Sequence, residues 1–249
     1  MGGAISVKAA VGGIVALDLQ SNTFKYNSAV LGGSVYCEQC KIGGASFKWT
    51  SNTFSYGYAK NGGDIYINQI LNQMSSTSYL QLVDHNHKLS RANLDGGSFY
   101  IKEDSQTMML EVLKSTLSEF KTMTTEMGNG AVFMIEATKY VHIKATGITF
   151  ETCTSGTDAS STDGNGGVFA VKEGILDAVD VLFTEVKFQQ NRANVGSGGI
   201  LYIPKTSTTS VVTLVKTVLY GNQANQDGGA MFIGGTGDKI LNLEDCDSI

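Results

Sequence analysis

Apolar and polar residues alternate along this chain in short runs, and the runs recur. A glycine pair opens each of eight copies: Gly2-Gly3, Gly32-Gly33, Gly62-Gly63, Gly96-Gly97, Gly128-Asn129-Gly130, Gly166-Gly167, Gly198-Gly199 and Gly228-Gly229. Alternating apolar residues follow each pair, as in Ser34-Val35-Tyr36-Cys37 and Asp64-Ile65-Tyr66-Ile67. The second glycines lie 30, 30, 34, 33, 37, 32 and 30 residues apart. Alternation with a period of two predicts strands, and a recurrence near thirty residues predicts stacked repeats rather than a single sheet.

Each repeat holds further alternating runs. A second run reads Val15/Leu17/Leu19, Ala45/Phe47/Trp49, Val141/Ile143/Ala145, Val179/Val181/Phe183 and Val212/Leu214. Five residues beyond the last apolar position of each stand Phe24, Phe54, Phe150, Phe188 and Leu219, and the pattern Phe-x-x-Asn continues to Asn27, Asn191 and, after Leu219, Asn222. Three short strands closing on themselves every thirty residues predict an all-β, right-handed parallel β-helix of about eight coils over residues 1–249. At about 4.8 Å per coil it would be a rod roughly 40 Å long.

Equivalent residues should then form ladders. The Phe position predicts an aromatic stack in the core. The Asn position predicts an amide ladder at a corner where left-handed backbone is needed, with Gly57 at the same place fitting that need. Tyr36, Tyr66, Tyr100, Phe133, Phe169, Tyr202 and Phe232 read as one further ladder, expected in the core rather than outside. Residues 108–127 also fit an amphipathic helix, but their place between two glycine-pair strands favours a coil with an irregular third strand. The longer spacings predict insertions, a polar loop at 155–164 and a degraded third strand around Asp84-His85-Asn86-His87.

Composition agrees with a sheet-rich chain. Thirty glycines stand against one proline, Pro204, and charged residues make up only 16%. The net charge is −5 without a Lys/Arg cluster, which argues against a nucleic-acid or anionic-membrane surface. No run of eighteen apolar residues spans a bilayer, and the N-terminus lacks the parts of a signal peptide. Both ends fall within the repeat pattern, so the expectation is an excerpt of a longer array, anchored outside this segment.

Gly-Gly-Ala-Ile at 2–5 together with Phe24-Lys25-Tyr26-Asn27 and Phe188-Gln189-Gln190-Asn191 resembles the paired tetrapeptides of the chlamydial polymorphic outer-membrane proteins. Similar repeats occur in giant membrane-anchored β-helix proteins of ciliates and other protists. The resemblance covers the whole chain and departs from it at Gly57, Cys153 and the two middle repeats. It implies a cell-surface or extracellular stalk or adhesin. The partners implied are further repeats or other protein subunits, with surface glycan as an additional ligand.

The rival readings are a polysaccharide lyase or hydrolase and a self-assembling filament or coat. An enzyme would need converging carboxylates. Asp177 and Asp180, three apart in an expected strand, point to opposite faces. Glu103-Asp104 and Glu244-Asp245-Cys246-Asp247 lie near other repeats, and all read as solvated carboxylates. Cys37-Glu38-Gln39-Cys40 reads as a local disulfide or two thiols rather than zinc ligands, because Cys153 and Cys246 belong to distant coils. His85 and His87 share one side of an extended segment and read as a polar corner rather than a metal site, with His142 distant. No catalytic, cofactor or metal residue is assigned, and the chain is read as a non-enzymatic scaffold.

Overall fold

The computed structural model describes residues 2–10, 15–41, 49–70, 77–103, 107–114, 119–172 and 176–248. It is all-β, with no helix among the described residues, and its strands stack in parallel as a β-solenoid of about seven turns. A glycine-pair strand opens each turn. These strands, Ile5–Lys8, Val35–Lys41, Ile65–Ile70, Phe99–Glu103, Phe133–Ala137, Phe169–Val171, Leu201–Thr206 and Met231–Gly235, form sheet A in chain order. The second runs, from Trp49–Thr50 through Thr77–Val83 to Lys239–Glu244, form sheet B. The Phe-centred triplets, Thr23–Lys25 through Val218–Tyr220 to Asp247–Ser248, form sheet C.

A fourth sheet corrects the expectation of three strands per coil. Dipeptides at Tyr58–Ala59, Arg91–Ala92, Thr124–Thr125, Thr154–Ser155, Arg192–Ala193 and Gln223–Ala224 pair into sheet D. Two residues are too few to show an alternation. Their trace in the sequence is the small inward residue, Ala59, Ala92 or Ala193, each fully buried.

The described part of 107–127 holds strands and no helix, as the coil reading expects: Thr107–Leu113, Glu119–Lys121 and Thr124–Thr125 each take their place in register. Asn86–Lys88 is likewise a regular rung of sheet C rather than a degraded one, with His87 aligned to Phe54 and Phe120. The first turn departs from the pattern, since Val15–Ala16 pairs with Cys40 and Lys41 in sheet A instead of joining sheet B. Ala45 and Phe47 lie outside the described residues. The single proline, Pro204, sits where the register between Leu201–Thr206 and Met231–Gly235 shifts. Proline removes a ladder donor, so a break in register belongs there.

Inside, the ladders are aromatic. Phe24, Phe54, His87, Phe120, Phe150 and Phe188 stack rung on rung with centroid spacings of 4.7, 4.6, 4.9, 5.1 and 5.2 Å. A second core stack runs through Phe99, Phe133 and Phe169 at 4.9 and 5.0 Å. Each fully buried ring contributes roughly 2 kcal/mol by removal from water. Trp49 is also fully buried and keeps its indole satisfied by donating to the Leu17 carbonyl at 3.0 Å.

The expected single row of seven aromatics is therefore two rows. In the fifth copy Gly130 takes the left-handed conformation of a first glycine (φ 63°), and Ala131 stands in the second place. Counting from Gly130 as a second glycine put Phe133 one position out, and Phe169 lies two, not three, after Gly167. The register aligns Phe133 and Phe169 with Phe99 in the core. The outward row is instead Tyr36, Tyr66, Tyr100, Met134, Ala170, Tyr202 and Phe232.

The corner geometry is also shifted by one residue. Left-handed backbone falls on Tyr26, Tyr56, Leu89, Thr122, Thr152 and Gln190, one place before the Asn27/Gly57/Asn191 position. The amide ladder itself is present in the last turns. Asn191 Oδ1 accepts from the Cys153 amide, and Asn222 Oδ1 accepts from the Asn191 amide and its Nδ2, each at 3.0 Å. Gly57 answers a different need: a Cβ there would sit 2.2 Å from Asp64 Oδ1. In the insertion, residues 157–160 are exposed, while Ser155 turns inward and donates to the Gly164 carbonyl at 2.9 Å.

Candidate functional site

The interior holds a polar cluster built where three ladders change residue type together. Asp64 replaces the serine of Ser34 and Ser98, His87 replaces phenylalanine, and Gly57 replaces asparagine. Asp64 is fully buried and accepts from His87 Nδ1 at 2.8 Å, Ser90 Oγ at 2.6 Å and Ser98 Oγ at 2.8 Å. With Nδ1–H of a neutral His87 given to Asp64, its Nε2 is left to accept from His85 Nδ1 at 3.4 Å. Beyond His85, Asn52 Nδ2 lies 3.4 Å from the second ring nitrogen and donates to the Leu19 carbonyl at 2.7 Å. The Asn52 oxygen accepts from Asn22, whose amide nitrogen is 3.0 Å away.

Burial pushes the His85 pKa down to about 3, helped by the neighbouring His87, and burial lowers His87 as well against the pull of Asp64. The two histidines thus share one side of the strand, but that side is the core, not a corner open to solvent. The His87 ring lies between Phe54 and Phe120, nearly parallel to both (11° and 7°). The arrangement has the residue types of a proton relay but no exposed atom to receive a substrate. Its hydrogen bonds link consecutive turns of the coil, from Asn52 through His85 and His87 to Asp64 and Ser98.

The other sequence candidates are dispersed. Asp177 is exposed and precedes its strand, which begins at Val179, whereas Asp180 lies on the outer face of sheet B 3.1 Å from His142 Nδ1. Glu103 is buried and accepts from Ser78 Oγ at 2.7 Å and the Ile70 amide at 3.1 Å, while Asp104 lies outside the described residues. Glu244, Asp245 and Asp247 are exposed at the final turn. Cys37 and Cys40 form a disulfide inside sheet A, around Gln39 in left-handed conformation. Cys153 is a buried free thiol whose pKa burial pushes up to about 12, and Cys246 is half-buried. Among the described residues no three His, Cys, Asp or Glu side chains gather as a metal-binding group.

On the outer face of sheet A, the tyrosine row is packed rather than bare. Tyr36, Tyr66 and Tyr100 stack at 5.6 and 5.0 Å, and Tyr100 and Met134 are nearly fully buried. Their hydroxyls face carboxylates: Tyr36 meets Glu38 at 2.8 Å, and Tyr100 meets Glu136. Burial, with Glu38 alongside, raises the Tyr36 pKa to about 12. The row is thus a second, smaller apolar cluster outside the main core.

Fold and ladders together define a parallel β-solenoid repeat protein. No family model, curated protein or solved structure matches the chain.

Proposed function

We propose that the chain is a stretch of an elongated, rigid surface array with a structural or adhesive role at the cell surface. The observation that supports it is the long parallel register: among the described residues the four sheets pair rung to rung apart from the shift at Pro204 and the diverted Val15–Ala16, with stacked rings inside and cross-rung pairs such as Lys8–Glu38, Lys121–Glu151 and Lys144–Glu111 outside. Such a stack bends little, because any bend must open hydrogen bonds of several rungs at once. The candidate carboxylates are scattered over different sheets and turns, which favours this reading over a polysaccharide-cleaving one.

The mass of the native polypeptide tests the array reading first. Peptides mapping beyond residues 1 and 249, in a chain much heavier than 26.5 kDa, would support it. Small-angle scattering of the 249-residue chain should give the pair-distance distribution of a rod, and a spherical profile would sink the reading.

A filament reading draws on one observation. Leu241 and Leu243, aligned with the buried Val212 and Leu214, are 56% and 61% exposed. A further rung would cover them, whether supplied by the same polypeptide or by a second copy. Sedimentation velocity over a concentration series separates these, since only the second gives growing species from this chain alone.

A further inference from the structure

The outer face of sheet C carries a feature that the scaffold reading leaves unused. Lys25, Ser55, Lys88 and Lys121 are successive residues of one outward row, aligned by the register of four neighbouring strands. Lys25 and Lys88 are exposed and have no ion pair among the described residues. Only Lys121, at the end of the row, is neutralised, by Glu151 at 2.9 Å. Small Ser55 between the two free lysines leaves an open trough of about 560 Å³.

One wall of that trough is aromatic. Tyr26 and Tyr56 stack with centroids 4.7 Å apart and planes 14° from parallel, and they are 73% and 45% exposed. Both take the left-handed conformation (φ 56° and 57°), in which a bulky side chain is strained and which Gly221 supplies without strain at the same corner of a later turn. The left-handed turn is common to this corner of the coil, but placing two large, exposed rings on it buries little and leaves them open beside the unpaired Lys25 and Lys88.

We propose that this trough binds an anionic glycan, its sugar rings against Tyr26 and Tyr56 and its carboxylate or sulfate groups on Lys25 and Lys88. The spacing suits an extended polysaccharide: two rungs separate the lysines, about 10 Å, the length that a disaccharide of an extended chain covers. Amphipathic tyrosine supplies an apolar face for pyranose C–H groups while its hydroxyl stays wet. Lys25 and Lys88, neither in an ion pair among the described residues, outnumber the one carboxylate lining the trough, Glu119, and favour an anionic over a neutral or cationic occupant. The proposal adds a ligand to the scaffold and does not depend on it, since a rod that binds no glycan is still a rod.

Affinity electrophoresis of the folded chain in gels containing polygalacturonate, heparin, neutral dextran or polyglutamate tests this. Retardation by polygalacturonate or heparin, but not by dextran or polyglutamate, is the expected result. The double variants K25S/K88S and Y26S/Y56S should each weaken retardation about tenfold, equivalent to roughly 1.4 kcal/mol, while K205S on sheet A leaves it unchanged. These side chains are exposed, and unchanged circular-dichroism melts verify folding. No retardation by either polyanion overturns the proposal. So does equal retardation by polyglutamate, which would mark an acidic-peptide or purely electrostatic surface, or an undiminished response in the tyrosine variant.

Discussion

At the scale of the residue, the buried Asp64–His85–His87 group sets the acid behaviour of the protein. The folded-state pKa of His85 is about 3, below the ordinary 6.5, so the folded state holds fewer protons than the unfolded chain between these values. Stability from the neutral ring is therefore fully present above pH 6.5 and is lost as pH falls toward 3. Such a histidine contributes a slope of up to about 1.4 kcal/mol per pH unit in that window. The midpoint of thermal unfolding should drop steadily from pH 6.5 to 4 while staying flat from 7 to 8; a flat profile throughout would refute the neutral assignment. His87→Phe alone should cost about 3 kcal/mol or more, because it leaves Asp64 buried without its ring partner. Combined with Asp64→Ser, which restores the serine of Ser34 and Ser98, it should recover most of that loss, while the acid slope carried by the still-buried His85 remains. Urea denaturation of the two variants, at neutral and at acid pH, measures both effects.

At the scale of the element, corners rather than strands carry the specificity. A sheet C strand has at most three residues, too few to hold its register alone, and in the last turns the corner after it is tied to the next rung by the Asn191–Asn222 amide ladder. Asn191 is fully buried; its oxygen takes the Cys153 amide, and its Nδ2 serves the Phe150 carbonyl and Asn222 Oδ1, both at 3.0 Å. Asn191→Ala strands a buried backbone amide and carbonyl and should lower stability by about 1–3 kcal/mol in urea titration. Asn22→Ala, at an exposed corner, should cost much less. Equal costs at the two positions would show that the amide ladder is decorative. The repeated motif was legible from the Phe-x-x-Asn spacing. The residue bearing the left-handed turn was not, since Tyr26, Leu89, Thr122 and Gln190 share no chemistry. The turn is imposed by the closing of the coil, not by local preference.

At the scale of the whole molecule, each turn contacts only its neighbours, so stability is a sum along the rod and is weakest where a neighbour is missing. The inward leucines of Lys239–Glu244 are exposed, whereas Val141, Ile143 and Ala145 of Val141–Thr146 are buried. Hydrogen–deuterium exchange of the isolated chain should run fastest at Lys239–Glu244 and slowest at Val141–Thr146. Uniform protection would point to association across the exposed end.

The sequence by itself determined the architecture. Alternation, glycine pairs and a thirty-residue recurrence admit few other ways to bury each apolar stripe, because a single repeat has no partner but the next one. It also determined the aromatic core stack and the isolation of the two cysteines Cys153 and Cys246 from Cys37 and Cys40. Only the tertiary structure decided which face each ladder occupies. Side chains alternate with a period of two, so the one-residue offset at Gly130-Ala131 puts Phe133 in the core rather than the tyrosine row, beside Phe169, which stands two rather than three residues after Gly167. Tertiary structure likewise decided the meaning of Gly57, His87 and Asp64. They stand 7 to 30 residues apart along the chain, and each looks like a lapse in its own repeat. Only the coiling of consecutive turns brings the vacated Cβ, the carboxylate and the imidazole to one point, where each makes the other two tolerable.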